Sequence, residues 1–189
     1  MKPANRWLVF AASLAVTTAA WADKYDDAIK TFKQSPKSSK FFAKSYGYAV
    51  FPDIGKAGFI VGGEHGDGHV FEHGRLVGTA SLTQVSVGAQ AGAKEYTEII
   101  FFHNKEDFEK FRGGDFQVAG SVEATAITLN ASASAGTTTS STAASTNKDN
   151  AATGGGYNNG VAVFVITKGG LMAGIAVGGQ KIKFEPMSK

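Results

Sequence analysis

Glycine recurs inside segments that otherwise alternate apolar and polar residues, and that placement restricts the chain to a sheet that bends. Gly58, Gly62, Gly63, Gly88, Gly92, Gly174, Gly178 and Gly179 all sit in such segments, among 24 glycines in 189 residues. A glycine weakens a flat strand but permits sharp bends and close backbone approach. Gly47 to Phe51 reads as a strand closed by Pro52-Asp53. Lys56 to His65 reads as a second, with a hairpin turn at Gly66-Asp67-Gly68, a return from His69 to Glu72 and another turn at His73-Gly74. Leu76 to Gly92 alternates, with Val85, Val87, Ala89 and Ala91 facing one way and Gln84, Ser86 and Gln90 the other. Tyr96 to Phe102 is denser in apolar residues, as a strand covered on both faces would be. Phe116 to Leu129, Val161 to Thr167 and Leu171 to Phe184 complete the set. The expected fold class is α+β: a strongly curved, barrel-like antiparallel β-sheet with N-terminal helices and one short mid-chain helix.

The helices have their own signals. Asp23 can cap a first helix, in which Tyr25, Ala28, Ile29 and Phe32 share one face at spacings of three and four. Ser35-Pro36 stops it and starts a second helix that runs to about Ser45. Asn104 caps the mid-chain helix, Lys105 to Arg112, and Gly113-Gly114 ends it.

Residues 1–22 read as a secretory signal peptide. Lys2 and Arg6 give a positive start, Trp7 to Val16 is apolar, and Ala20-Trp21-Ala22 offers small residues at a cleavage site. The apolar run is shorter than the roughly 20 residues a membrane span needs. Cleavage removes Lys2 and Arg6 and no acid, so the net charge falls from +3 to +1. Residues 23–189 then form one domain, expected in the periplasm or secreted and without an integral membrane span. Within it, residues 130–160 are rich in Ala, Ser, Thr and Gly and have little to bury, so they read as a long low-complexity loop.

Composition removes several functions. A hydrophobic share of 43% can fill a core. The absence of Cys excludes disulfides, thiolate zinc sites and a Cys nucleophile. A charge of +3 is too small for a strongly basic nucleic-acid binder. No nucleophile elbow occurs, and Gly63-Glu64-His65-Gly66-Asp67-Gly68 lacks the following helix and the Lys-Ser/Thr pair of a phosphate loop. His65 and His69 could face each other across a hairpin, but two ligands do not close a metal site. No enzyme activity, cofactor or metal is expected.

The second helix carries the candidate site. At 100° per residue, Lys37, Lys40 and Lys44 fall within about 60° of arc, with Phe41 beside them and Phe42 turned toward the core. Residues 23–46 hold six Lys and three Asp. Cations flanking a bulky ring suit an anionic bilayer, the charges lying among headgroups and the ring entering the interface. Lys37, Lys40, Phe41 and Lys44 are therefore the expected lipid-binding residues, and anionic membrane lipids the expected partner.

The blocks Gly47-Tyr48-Ala49-Val50-Phe51-Pro52-Asp53-Ile54-Gly55-Lys56-Ala57-Gly58-Phe59-Ile60-Val61-Gly62-Gly63, Gln84 to Gly92, Ile99-Ile100-Phe101-Phe102 and Lys168-Gly169-Gly170-Leu171-Met172-Ala173-Gly174 resemble, in order, those of the SYLF lipid-binding domain. The resemblance covers nearly all of residues 23–189. It implies a non-enzymatic domain that binds membrane lipids. Eukaryotic relatives bind phosphoinositides through an N-terminal amphipathic helix and basic residues, and some bind actin; bacterial relatives are secreted to the envelope. A periplasmic member would meet phosphatidylglycerol, cardiolipin or lipid A species. The alternative functional reading is a structural or protein-interaction component of the envelope. An outer-membrane barrel fits less well, since the chain ends Pro186-Met187-Ser188-Lys189 without a terminal aromatic strand.

Overall fold

Tyr25, Ala28, Ile29 and Phe32 are all buried, so the face formed by their three- and four-residue spacing is the one that docks. They lie on α1 (Thr17–Gln34) in a computed structural model that describes residues 17–56, 63–85, 95–120, 122, 124–127, 156–167 and 177–188. The helix begins upstream of Asp23, which therefore does not cap it. It ends in a corner: the Ser35 and Ser38 N–H groups bond back to the Phe32 and Ser35 carbonyls, and the buried Ser38 hydroxyl donates to the Phe32 carbonyl at 2.6 Å. Pro36 falls in this corner, so α2 is the short segment Ser39–Lys44.

The strands are β1 (Gly47–Lys56), β2 (Gly63–Glu72), β3 (Arg75–Val85), β4 (Glu95–Phe102), β5 (Phe116–Gln117), β6 (Thr125–Ile127), β7 (Val161–Thr167) and β8 (Lys181–Pro186). They form one eight-stranded sheet in the order β5-β8-β3-β2-β1-β4-β7-β6. Every neighbouring pair is antiparallel except β6 and β7. The sheet curls into a half-barrel, so the α+β class and the curved sheet are as the sequence implies. α3 (Lys105–Arg112) is capped where expected, the Asn104 side chain accepting from the Asp107 N–H at 2.9 Å.

Alternation along each strand divides the core. Phe51, Ile54, Val70, Leu82, Ile100, Phe102, Ile182 and Phe184 fill the inside of the half-barrel, closed at one end by Phe108 and Phe111 of α3. Tyr48, Val50, Ile99, Phe101, Phe164 and Ile166 point the other way, under α1 and α2. β4 is buried on both faces from Tyr96 to Phe102, which accounts for its apolar run Ile99 to Phe102. Each fully buried Phe contributes roughly 1.5–3 kcal/mol of transfer free energy.

Several segments differ from the sequence reading. Gly66-Asp67-Gly68 is not a turn but the middle of β2, paired to β3 from Gly66↔Leu82 to Gly68↔Ala80. These glycines sit on the inner face, where a Cβ at Gly68 would lie 2.5 Å from the Phe51 ring. They are absent side chains that make room for a large one. Pro52-Asp53 does not close β1; the strand continues through an irregularity between Phe51 and Ile54, a place that tolerates proline. Phe116 to Leu129 is not one strand: β5 and β6 lie at opposite edges of the sheet, joined through the buried Val118 and Val122. Described pairing in the last strand begins only at Lys181, after a turn with Gly179 at φ +89°. His73 and Gly74 do form the β2–β3 turn, both with positive φ as a two-residue primed hairpin requires.

Residues 1–16 and 128–155, with most of the low-complexity tract, lie outside the described residues. Its final residues belong to the domain: Tyr157 packs edge-on against Phe41, and Asn158 pairs with Val161 through a turn at Asn159-Gly160.

Candidate functional site

Two places among the described residues bring polar or charged side chains together. The first is the helical layer. Lys37, Lys40 and Lys44 are all exposed, as are Lys30 and Lys33 of α1. Lys37 lies in the corner before α2 rather than on its face. Among the described residues, Lys30, Lys33, Lys40 and Lys44 have no carboxylate partner. Lys33 instead sits 5.4 Å from the centre of the Phe42 ring and Lys40 5.5 Å from that of Phe41. At exposed sites such contacts contribute about 0.5–1 kcal/mol and hold the ammonium near the aromatic edge.

The ring assignment of the sequence reading is reversed. Phe41 is 3% exposed and packs against Phe164 at 5.0 Å and Phe101 at 5.5 Å between ring centres. It is a core residue and has no surface to put into an interface. Phe42 is the half-buried ring, edge-on to Tyr48 and Phe101 and overlain by Lys33. The projection failed because it ran the helix phase from Lys37, whereas helix starts at Ser39 and its docking on β4 and β7 sets which ring turns inward.

The second place is inside the half-barrel. Glu98, on the inner face of β4, is 0% exposed, as is Gln180, which directly precedes β8. The Gln180 Nε2 lies 3.0 Å from Glu98 Oε2, 3.2 Å from Gln84 Oε1 and 3.5 Å from the Tyr96 hydroxyl. The Tyr96 hydroxyl donates to Glu64 Oε2 at 3.0 Å. Glu98 Oε1 and Gln180 Oε1 are buried without a hydrogen-bond partner. Burial pushes the Glu98 carboxyl up to about 8; the Gln180 amide offsets part of this and the Glu64 charge adds to it. Burial also raises the Tyr96 hydroxyl, with the Glu98 and Glu64 charges acting in the same direction. The sequence reading missed this cluster. Its signal was a carboxylate, Glu98, inside a segment that reads as covered on both faces, at the parity of Tyr96, Ile100 and Phe102.

The histidines do not converge. His65 and His69 lie on the outer face of the same strand, four residues apart rather than across a hairpin, and His73 is in the turn. His65 Nε2 stands 3.5 Å from Asp67 Oδ1, while His69 stacks on Tyr25 with ring centres 3.5 Å apart. Among the described residues no three His, Asp or Glu side chains are grouped to hold a metal ion. No helix of the described residues is long and apolar enough to cross a membrane.

Comparison with known families gives a match to the later part of this architecture. Residues 83–187, more than half of the chain, match Ysc84, described as Las17-binding protein actin regulator. This is the SYLF domain. The matched range runs from the end of β3 through β8 and includes Gln84, Tyr96, Glu98 and Gln180; α1, α2, β1 and β2 precede it. A comparison with curated proteins finds no match.

Proposed function

The chain belongs to the Ysc84 family of SYLF binding domains, and on that premise we propose that it is a non-enzymatic module that binds anionic lipid at a membrane surface through the lysines of its N-terminal helical layer. The observation that carries this reading is the set of exposed lysines, Lys37, Lys40 and Lys44, on a short segment whose apolar side is anchored in the core by Phe41. A rigidly docked segment presents its cations without ordering a flexible tail first. Each lysine near an anionic surface adds about 1 kcal/mol. Phe42, with part of its ring exposed beside Lys33, is the aromatic group placed to meet the interface in place of Phe41. The leader-like N-terminus supports a periplasmic or secreted setting, where phosphatidylglycerol, cardiolipin or lipid A species supply the charge. Actin regulation, named in the family description, presupposes a partner that such a compartment lacks.

Liposome flotation tests the reading. The protein should float with phosphatidylglycerol vesicles, far less with phosphatidylcholine, and less as salt shortens the Debye length from about 8 Å at physiological ionic strength. Changing Lys37, Lys40 and Lys44 together to Gln should cost roughly 3 kcal/mol, more than a hundredfold in partition coefficient. A folded triple variant that floats like the wild type removes this surface from consideration.

A further inference from the structure

Neighbouring strands place apolar side chains in a single row across the outer face of the sheet. Phe101 of β4 stands opposite Tyr48 of β1, Tyr48 opposite Phe71 of β2, and Phe71 opposite Leu76 of β3. Directly opposed residues of an antiparallel pair project from the same face, so these form one transverse strip. Past β3 the Met187 N–H bonds the Val77 carbonyl at 3.1 Å, which sets Met187 at the end of the strip, just beyond β8.

Exposure climbs along the row. Phe101 and Tyr48 are buried, with Phe42 of α2 edge-on to both. Phe71 stacks on Tyr48 with ring centres 4.9 Å apart and is only half-buried. Leu76 is 40% exposed and Met187 55%. Among the described residues these two are the exposed large hydrophobics, and they fall beside each other. A single exposed hydrophobic is ordinary, but a continuous strip that runs out from under a helix marks a surface with a partner.

The charge around the strip says what that partner is. Lys33 lies over the Phe42 ring. Lys44 ends α2, and two residues later the Tyr46 carbonyl accepts from the His73 N–H of the β2–β3 turn. The turn and its exposed Arg75 therefore adjoin the lysine-bearing end of α2. Acids are present but fewer: Lys30, Lys33, Lys40, Lys44 and Arg75 stand against Asp26, Asp27 and Glu72. Glu72, opposite Arg75, accepts from the Tyr46 hydroxyl at 2.7 Å, and Glu185 next to the strip pairs with Lys183 at 3.4 Å.

We propose that this strip enters the acyl boundary of an anionic bilayer, with Phe42, Phe71, Leu76 and Met187 as the inserting side chains and the lysines of α1 and α2 among the headgroups. A bilayer offers apolar depth beneath a plane of negative charge, and the strip with its flanking cations matches both. The inference rests on the lipid-binding reading above. It adds an orientation, with the β2–β3 hairpin end toward the membrane, and a part of the affinity that salt does not screen.

The chain has no Cys, so single labels can be placed. Leu76→Cys and Met187→Cys, each carrying an environment-sensitive fluorophore, are compared with Thr83→Cys, exposed near the opposite end of β3. On addition of phosphatidylglycerol vesicles the first two labels should brighten and be quenched by a quencher attached to the lipid chains, while the third stays in water. Leu76→Gln combined with Met187→Gln, both at exposed positions, should fold like the wild type and lower the partition coefficient by about tenfold or more. That deficit should persist in high salt, whereas the deficit of the Lys37, Lys40 and Lys44 variant should shrink. If the wild type does not float with phosphatidylglycerol vesicles, both readings fall. If it floats but the labels at 76 and 187 stay in water, or the double variant partitions like the wild type, the lysine surface stands and this inference falls. Labels already shielded before vesicles are added, in a species of twice the monomer mass by light scattering, would make the occupant a second copy and also overturn it.

Discussion

Gln180 Nε2 and Glu98 Oε2 meet at 3.0 Å although three strands, β3, β2 and β1, lie between the strands that carry or adjoin them. In a flat sheet, four inter-strand steps of about 4.8 Å would hold those strands roughly 19 Å apart. The contact therefore measures the curl, and it closes a buried polar path from Gln84 across to β4.

That burial sets a pH dependence. The folded-state pKa of Glu98 is raised from 4.5 to about 8, so between those values the unfolded state has lost a proton that the folded state keeps. Stability then falls as pH rises through this window and levels off above it. Glu98→Gln should flatten the decline and stabilise the protein at pH 7 by roughly 3 kcal/mol, since one pKa unit is about 1.4 kcal/mol. Urea melts from pH 5 to pH 9 check it. Parallel curves for wild type and variant would mean that Glu98 is not held protonated.

The two adjacent phenylalanines should separate in stability. Phe41 is surrounded by Phe101, Phe164 and Tyr157, so Phe41→Ala should cost about 3–5 kcal/mol. Phe42 is only half-buried, and Phe42→Ala should cost less than half as much. Denaturant unfolding of the two variants decides the order. Equal costs would mean that both rings are core.

These residues show where sequence was sufficient. The helix face of Tyr25, Ala28, Ile29 and Phe32, the Asn104 cap and the doubly covered β4 are local patterns whose period or chemistry forces one outcome. The turn read at Gly66-Asp67-Gly68 was wrong because glycine signals two things, a positive φ or a missing side chain, and only the position of Phe51 on the neighbouring strand selects between them. Phe41 and Phe42 were exchanged because the phase of a six-residue helix is set by what it docks on. The Glu98–Gln180 contact spans 82 residues in sequence, and no local pattern contains it.

Gly68 supplies a direct check on the missing-side-chain reading. An added methyl would lie 2.5 Å from Phe51 Cδ1 and Cε1, inside any real contact, and the backbone there does not need positive φ. Gly68→Ala should destabilise by about 1–3 kcal/mol through overpacking. Combining it with Phe51→Leu, which trims the ring, should recover part of that loss. Additive losses in the double variant would show that Gly68 is needed for backbone freedom instead.

The docking of α1 should carry the opposite pH dependence from Glu98. His69 stacks on Tyr25 with the ring planes 5° apart, and the Tyr25 hydroxyl donates to the Asp67 carbonyl at 3.3 Å. Burial, then the Lys24 charge, lowers the His69 pKa below 6.5, while Asp26 acts weakly the other way. The unfolded chain therefore binds a proton more readily, and the contribution of His69, complete above its unfolded value, is lost as pH falls below about 6.5. His69→Phe keeps a flat ring against Tyr25 and removes the titration. Between roughly pH 7 and pH 5 the wild type should lose melting temperature more steeply than His69→Phe, whereas near pH 8 the two should differ by no more than the value of one aromatic contact, about 0.5–1.5 kcal/mol. Direct NMR titration of His69 supplies the second measurement. An imidazole that titrates at or above 6.5 would mean that the helix is not packed over it, and that the lysine-bearing layer of α1 and α2 is held to the sheet by its other buried side chains alone.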